Sequence, residues 1–350
     1  MSRVRVLVVD DSALNRRGIR RVLESDDRIE VVGESADGNE ALRAVSERKP
    51  DAITLDLEMP RMDGFTLLRI LMARRPLPVI VVSSYSQKEN IFHALELGAI
   101  DFVEKPERGF FSEEAGKQFI EKVMLARNLR PPRLALRSAS TYSSSFKASQ
   151  GYSPSSAEPT KPTFLIGIAA STGGPAALLD IFARLPEHLP AAIVVAQHMP
   201  ERFTQAFAAR LDRQSAVFVR EASDGEKLLA KNAYVCPGGS CMEVEQVGRD
   251  QKIRLCKPSQ KDAYVPSADR LFKSVASVAG SRSIGVVLTG MGSDGVEGAR
   301  GIRDARGLVI VESRDTAVVD GMPTAVIRAG LAGRVLPLSA IGELLATLSC

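Results

Sequence analysis

The chain is sparing with the side chains that build several common sites. Three histidines and four cysteines occur in 350 residues. Cys236, Cys241, Cys256 and Cys350 lack the paired spacing of a zinc site. They read as reduced cytosolic thiols. No apolar run approaches the roughly 20 residues of a membrane span. The opening RVRVLVVDD has no apolar signal-peptide core. A cytoplasmic protein without membrane insertion is expected. Charge of one sign is not in excess either: a net charge of +4 neither demands nor excludes an acidic partner. No repeat of solenoid period is present. What is present is apolar bulk. A hydrophobic fraction of 45% supports sizeable cores, and 350 residues suffice for two domains.

The stretch FLIGIAASTGGP, Phe164–Pro175, organises the second half. A short continuous apolar run reads as a strand buried on both faces. Gly173 and Gly174 permit a tight turn, and Pro175 suits the first turn of a helix. Ser171 therefore stands where a strand meets a helix N-terminus, whose free N–H groups favour negative charge. Two later stretches repeat the pattern. AAIVVAQHM ends in His198, and SIGVVLTGMGSDG ends in a glycine-rich turn carrying Asp294. If the strands are parallel, Ser, His and Asp reach one sheet edge. That is the inventory of a base-activated serine nucleophile.

The first part alternates strands with helices. Strands are predicted at Val4–Val9, Ile29–Gly33, Ala52–Leu57, Val79–Ser83 and Phe102–Val103. Helices are predicted near Leu14–Ser25, Glu40–Arg48, Gly64–Arg74, Asn90–Leu97 and Glu113–Leu129. This alternation implies a doubly wound parallel α/β sheet over residues 1–129. Residues 130–162 are dominated by Ser, Pro and Ala and read as a solvated tether. A second, mostly parallel α/β unit spans 163–350. Its strands are predicted at Phe164–Ala170, Ile193–Ala196, Val217–Arg220, Ala233–Val235, Ile284–Thr289 and Leu308–Val311. MEVEQVGRDQKIRL reads as a hairpin around Gly248–Asp250.

In the first unit Asp10 and Asp11 end one strand and Asp56 another. Ser83 ends a fourth, and Lys105 follows the fifth. Converging carboxylates repel unless a cation neutralises them. Mg²⁺ would do so, with Lys105 as a point charge for a phosphoryl group. The plainer alternative makes each Asp a helix N-cap. VVDDS, LDLEMPRMDG, VVSS and GAIDFVEKP resemble the receiver domain of two-component response regulators, a flavodoxin-like five-stranded fold. The resemblance implies that Asp56 accepts the phosphoryl group from a histidine kinase. It implies that Asp10, Asp11 and Asp56 hold Mg²⁺ and that Lys105 contacts the phosphate. Ser83 and Phe102 would be the switch residues.

In the second unit only His198 ends a buried strand. His93 lies on a helix, and His188 sits between prolines in LPEHLP. A histidine base for Ser171 must then be His198. Asp294 would hold the imidazole tautomer, unless it merely caps the helix Val296–Asp304. Backbone N–H groups of the Gly290–Gly295 loop, Met291's among them, would form an oxyanion hole. GMGSDG also matches the dinucleotide-binding G-x-G-x-x-G, with Glu312 about 20 residues on. Against that, Asp294 would stand where the pyrophosphate belongs. STGGP lacks the G-K-[ST] ending of a Walker loop.

ASTGGP, QHMP, PGG, PSAD, LTGMGSDG and VVDGMP resemble the catalytic domain of the chemotaxis protein-glutamate methylesterases, the CheB family. The resemblance implies a Ser171–His198–Asp294 triad with Thr172 and Met291 beside it. It implies hydrolysis of glutamyl methyl esters, and deamidation of glutamines, on the cytoplasmic helices of methyl-accepting chemoreceptors. No cofactor serves the ester chemistry. Before phosphorylation, the receiver is expected to cover the strand-end face of the second unit and block substrate. Cys236 and Cys241 stand where the family usually has Ala and His, and Tyr264 or Val265 near a usual His. The competing outputs behind a receiver are a DNA-binding or a dinucleotide-binding domain. The glycine-rich α/β pattern lacks the short basic helix-turn-helix that nucleic acid would require.

Overall fold

The computed structural model describes residues 3–84, 88–105, 110–126, 160–260 and 262–348. The expected tether at 130–162 lies outside them except for its last three residues, as does Cys350. The chain divides into two compact units.

The first unit alternates β1 (Val4–Val9), α1 (Ala13–Leu23), β2 (Ile29–Ser35), α2 (Gly38–Arg48), β3 (Ala52–Leu55), α3 (Gly64–Arg74), β4 (Val79–Ser83), α4 (Lys88–Glu96), β5 (Asp101–Glu104) and α5 (Glu113–Ala126). The five strands pair in parallel in the order β2-β1-β3-β4-β5. Val6, Val8, Ile80 and Val82 bury one sheet face against Ile19 and Leu23 of α1 and Phe119 and Val123 of α5. The helix caps fall on Ser12, Asp37 and Asp63, whose side chains accept from backbone N–H groups of the first turns. Asp10, Asp11 and Asp56 are thus left for other work, and the N-cap alternative fails for them.

The second unit runs β6 (Phe164–Ala170), α6 (Gly174–Phe182), β7 (Ala191–Gln197), α7 (Glu201–Gln214), β8 (Phe218–Glu221), β9 (Asn232–Val235), β10 (Cys241–Val247), β11 (Asp250–Cys256), α8 (Ala268–Ala279), β12 (Ser283–Val287), α9 (Val296–Asp304), β13 (Leu308–Glu312), α10 (Gly321–Arg328), β14 (Arg334–Leu336) and α11 (Leu338–Ala346). Seven strands form a parallel sheet in the order β14-β13-β12-β6-β7-β9-β8. The predicted hairpin is present as β10–β11, antiparallel and packed on α8. β6 is the central strand, with β7 on one side and β12 on the other. Chain order reverses there, so its carboxyl end opens on the crevice where open α/β sheets bind ligands.

Local chemistry sets the element ends. Gly173 takes φ +79 to turn β6 into α6, and Pro175 sits in the first helical turn. β12 ends at Val287, two residues earlier than predicted. The Thr289 N–H is taken by the Glu312 carboxylate at 2.8 Å and leaves the ladder. β14 has no counterpart in the sequence prediction. It is three residues long and Val335 is exposed, so no buried apolar run announces it.

Candidate active site

In the first unit, Asp10 and Asp56 are buried and Asp11 is exposed, and their carboxylate oxygens lie within 4.8 Å of one another. Lys105 Nζ approaches Asp56 Oδ2 to 2.6 Å and Asp10 Oδ2 to 3.4 Å. Burial pushes the Asp56 carboxyl up to about 6, with Lys105 opposing and the Asp10 charge adding to the rise. Burial works against the Lys105 ammonium, but the hydrogen bonds and charges of Asp56 and Asp10 together outweigh it and raise its pKa. Ser83 is buried at the end of β4, and Phe102 is buried within the adjacent strand β5, opposite Val81. Three hard oxygen donors around one point fit Mg²⁺, which takes one or two carboxylates and fills its shell with phosphate and water.

In the second unit, the strand ends bring Ser171, His198 and Asp294 together. β6 and β7 pair up to Ala170 and Gln197, and the His198 N–H continues the ladder to the Ala170 carbonyl at 3.0 Å. The Ser171 N–H bonds the Thr289 carbonyl at 3.0 Å, tying it to the end of β12. His198 Nε2 lies 2.9 Å from Asp294 Oδ2. Asp294 does not cap α9, whose N-cap is Gly295. Instead its carboxylate receives the Ala268 N–H at 2.7 Å and the Asp269 N–H at 3.0 Å, at the N-terminus of α8. Two N–H groups and the positive end of that helix fix the carboxylate. Burial raises the pKa of the neighbouring Asp269, which accepts from the Gly298 N–H at 2.7 Å.

The imidazole therefore turns Nε2 to the carboxylate, and its Nδ1 makes no hydrogen bond among the described residues. Among the described residues, the Ser171 hydroxyl makes no hydrogen bond, and neither do the N–H groups of Thr172 and Met291. An unengaged hydroxyl and two free N–H donors are what acyl transfer needs at one point. His93 and His188 are elsewhere: His93 packs on Phe65 in the first unit, and His188 is exposed.

One neighbour escaped the sequence reading, and a second entered it only as part of the dinucleotide-type pattern. The Gln197 amide donates to the carbonyls of Ser171 and His198, at 2.9 and 3.1 Å. Its place beside His198 in AQHMP was the available signal. Glu312, the acidic residue of the dinucleotide-type pattern, is wholly buried beneath Thr289. A ribose could not reach it, and Asp294 is taken by His198 and α8. The glycine-rich turn thus packs Gly290 against Ser171 and carries Asp294 to His198.

A phosphoacceptor-type sheet, followed in one chain by this Ser–His–Asp strand-end array, defines a response regulator whose output unit is an enzyme. Residues 166–345 match the CheB methylesterase family and residues 6–109 the response regulator receiver domain. The chain belongs to the CheB methylesterase family. A protein-glutamate methylesterase/protein-glutamine glutaminase of Myxococcus xanthus is 43% identical over 348 residues, spanning 99% of this chain and 97% of that one. Another, from Pyrococcus abyssi, is 40% identical over 346 residues, 97% of this chain and 92% of that one. The crystal structure of the Thermotoga maritima CheB methylesterase catalytic domain matches with a TM-score of 0.52 at 38% identity, over 54% of this chain and 100% of that domain. Among the described residues no helix is long and apolar enough to cross a membrane.

Proposed function

We propose that Ser171, His198 and Asp294 form the triad of a protein-glutamate methylesterase/glutaminase controlled by phosphorylation of Asp56. The carrying observation is the 2.9 Å bond between His198 and an Asp294 carboxylate held at the start of α8. His198 accepts the Ser171 proton as the hydroxyl attacks the ester carbonyl. Asp294 holds the ring in the tautomer that can accept it and stabilises the imidazolium. The N–H groups of Met291 and Thr172 receive the developing oxyanion. The imidazolium returns its proton to the departing methanol, or ammonia from a glutamine. Water, deprotonated by the same imidazole, then frees the glutamate. No cofactor enters these steps.

The substrates are glutamyl methyl esters and glutamines on the cytoplasmic helices of methyl-accepting chemoreceptors, which makes the protein cytoplasmic. The phosphodonor is the chemotaxis histidine kinase. Asp10, Asp11 and Asp56 would hold Mg²⁺, which supplies charge neutralisation for phosphoryl transfer to Asp56. Lys105 then pairs with the added charge of roughly −1.5 to −2. Ser83 and Phe102 follow it. Neither nucleic acid nor the bilayer is a partner. Residues 1–129 serve as receiver, 130–162 as tether and 163–350 as esterase.

Methanol release from methylated receptor membranes, with and without a phosphodonor and Mg²⁺, tests the assignment. Ser171→Ala is expected to abolish release in a folded protein. Asp56→Asn is expected to keep basal release and lose the stimulation. Full turnover by the first variant, or an undiminished response in the second, would overturn the corresponding role.

A further inference from the structure

The imidazole of His198 is covered on one face. The Tyr264 ring lies parallel to it, with 2° between the planes and 5.2 Å between centroids. Tyr264 is half-buried, in the segment between β11 and α8. That segment is pinned on both sides. Asp262 takes the Ser259 N–H at 2.7 Å and Arg270 Nη1 at 3.0 Å, and Ser267 caps α8. The far end of the ring reaches the glycine-rich turn. A Cβ on Gly292, which has φ +75, would run into Tyr264 Oη. Gly292 follows Met291, whose N–H faces the oxyanion in the triad reading. One aromatic side chain therefore spans from the base to the oxyanion loop. Its hydroxyl makes no hydrogen bond among the described residues, so it is not held there by a polar partner.

The space that Tyr264 bounds has a defined chemical use. His198 hands its proton to the departing oxygen or nitrogen, so the leaving group must lie against the imidazole. The carbonyl oxygen must point at the same time into the Gly290–Gly295 turn. We propose that Tyr264 is a specificity-determining residue, the wall of the leaving-group subsite, which admits methanol or ammonia and rejects larger alcohols. This rests on the triad reading above. Against a filled wall, one added methylene changes kcat/KM by about 10–200-fold. The stacked ring also lies where a cation–π contact would steady the imidazolium.

The test compares methyl and n-propyl glutamyl esters of one receptor-derived peptide, using the full chain and its Tyr264→Ala and Tyr264→Phe variants. The wild type is expected to favour the methyl ester strongly. Tyr264→Ala should cut that preference by about tenfold or more, mainly by raising turnover of the propyl ester. Tyr264→Phe should keep the wild-type preference, because the wall is the ring. Both esters are read on one preparation, so the ratio is independent of the folded fraction. An unchanged ratio in Tyr264→Ala overturns the wall. So does a Tyr264→Phe variant that behaves like Tyr264→Ala. Failure of the triad reading is separate: it shows as Ser171→Ala turning over the methyl ester.

Discussion

The Gln197 amide nitrogen lies 2.9 Å from the Ser171 carbonyl, at the point where the β6–β7 ladder runs out. A second bond, 3.1 Å long, goes to the carbonyl of His198. One buried amide thus holds the backbones of the proposed nucleophile and base at a fixed separation. Its Oε1 faces Gly174 and has no hydrogen-bond partner among the described residues. Gln197→Leu removes both bonds: the Ser171 carbonyl keeps the Gly174 N–H at 2.8 Å, and the His198 carbonyl loses its hydrogen-bond partner among the described residues, at a typical cost of about 1–3 kcal/mol. We predict a fall in kcat of about tenfold or more with little change in KM, since misplacement of reacting groups costs rate. Gln197→Glu should be worse, setting acceptors against acceptors. Rates per active serine, counted with a phosphonylating titrant, decide it; wild-type kcat in both variants would remove Gln197 from the geometry.

In the proposed triad Asp294 also anchors the start of α8, and two readouts of one substitution separate these roles. Asp294→Asn places an amide where the imidazole and two helix N–H groups all approach. At least one of those contacts becomes donor against donor. We expect a loss in kcat on the order of 10³–10⁴ from the wrong tautomer. The loss of a capping acceptor should cost about 1 kcal/mol of stability. Steady-state kinetics and thermal unfolding of the same variant check both; a stable, fully active Asn variant would contradict the orienting role.

The strands around both sites were legible because buried parallel strands are written as unbroken apolar runs. β1, β4 and β6 have the predicted ends. The strand-end placement of Ser171, His198 and Asp294 was legible for the same reason, since each stands past such a run. What the sequence hid was tertiary. Asp294 looks like a cap for the helix that follows it, yet it serves the start of α8, 26 positions earlier in the chain. Tyr264 was visible only as a departure from a family pattern, because nothing local says that its ring lies on an imidazole 66 positions away by number. β14 was missed because a short, exposed edge strand has no hydrophobic period to read.

The Asp56 carboxyl sets a pH window in the first unit. Its value in the fold, about 6, lies above the ordinary 3.8. A group raised in this way contributes most to stability below its unfolded value and loses that contribution as pH rises through its folded value. Asp56→Asn cannot ionise. Its melting temperature relative to the wild type should therefore climb between about pH 4 and 6 and level off above. Mg²⁺ requires the ionised carboxylates, so it should stabilise the wild type above pH 6 and do little below pH 5. Calorimetry of both proteins across that range, with and without Mg²⁺, decides it. A difference that does not vary with pH would mean that Asp56 titrates normally.

Glu312 gives a second window, under the nucleophile itself. Its side chain is wholly buried at the end of β13. Oε2 accepts from the Thr289 N–H at 2.8 Å. Burial raises the carboxyl to about 7, with the Thr289 N–H and the Thr316 hydroxyl opposing and the Asp180 charge adding to the rise. The stabilising contribution is full below the unfolded value, 4.5, and is lost as pH rises through 7. The Thr289 carbonyl holds the Ser171 N–H, so charge on Glu312 is one residue from the nucleophile's anchor. Glu312→Gln keeps an acceptor for Thr289 and removes the titration. At pH 5 the variant and the wild type should melt within a degree or two of each other, in line with a surface-sized effect. At pH 8.5 the variant should be the more stable, and its methanol release should fall less between pH 7 and 8.5. Parallel melting and rate profiles for the two proteins would show that Glu312 stays ionised throughout, and would detach it from the pH response of the site.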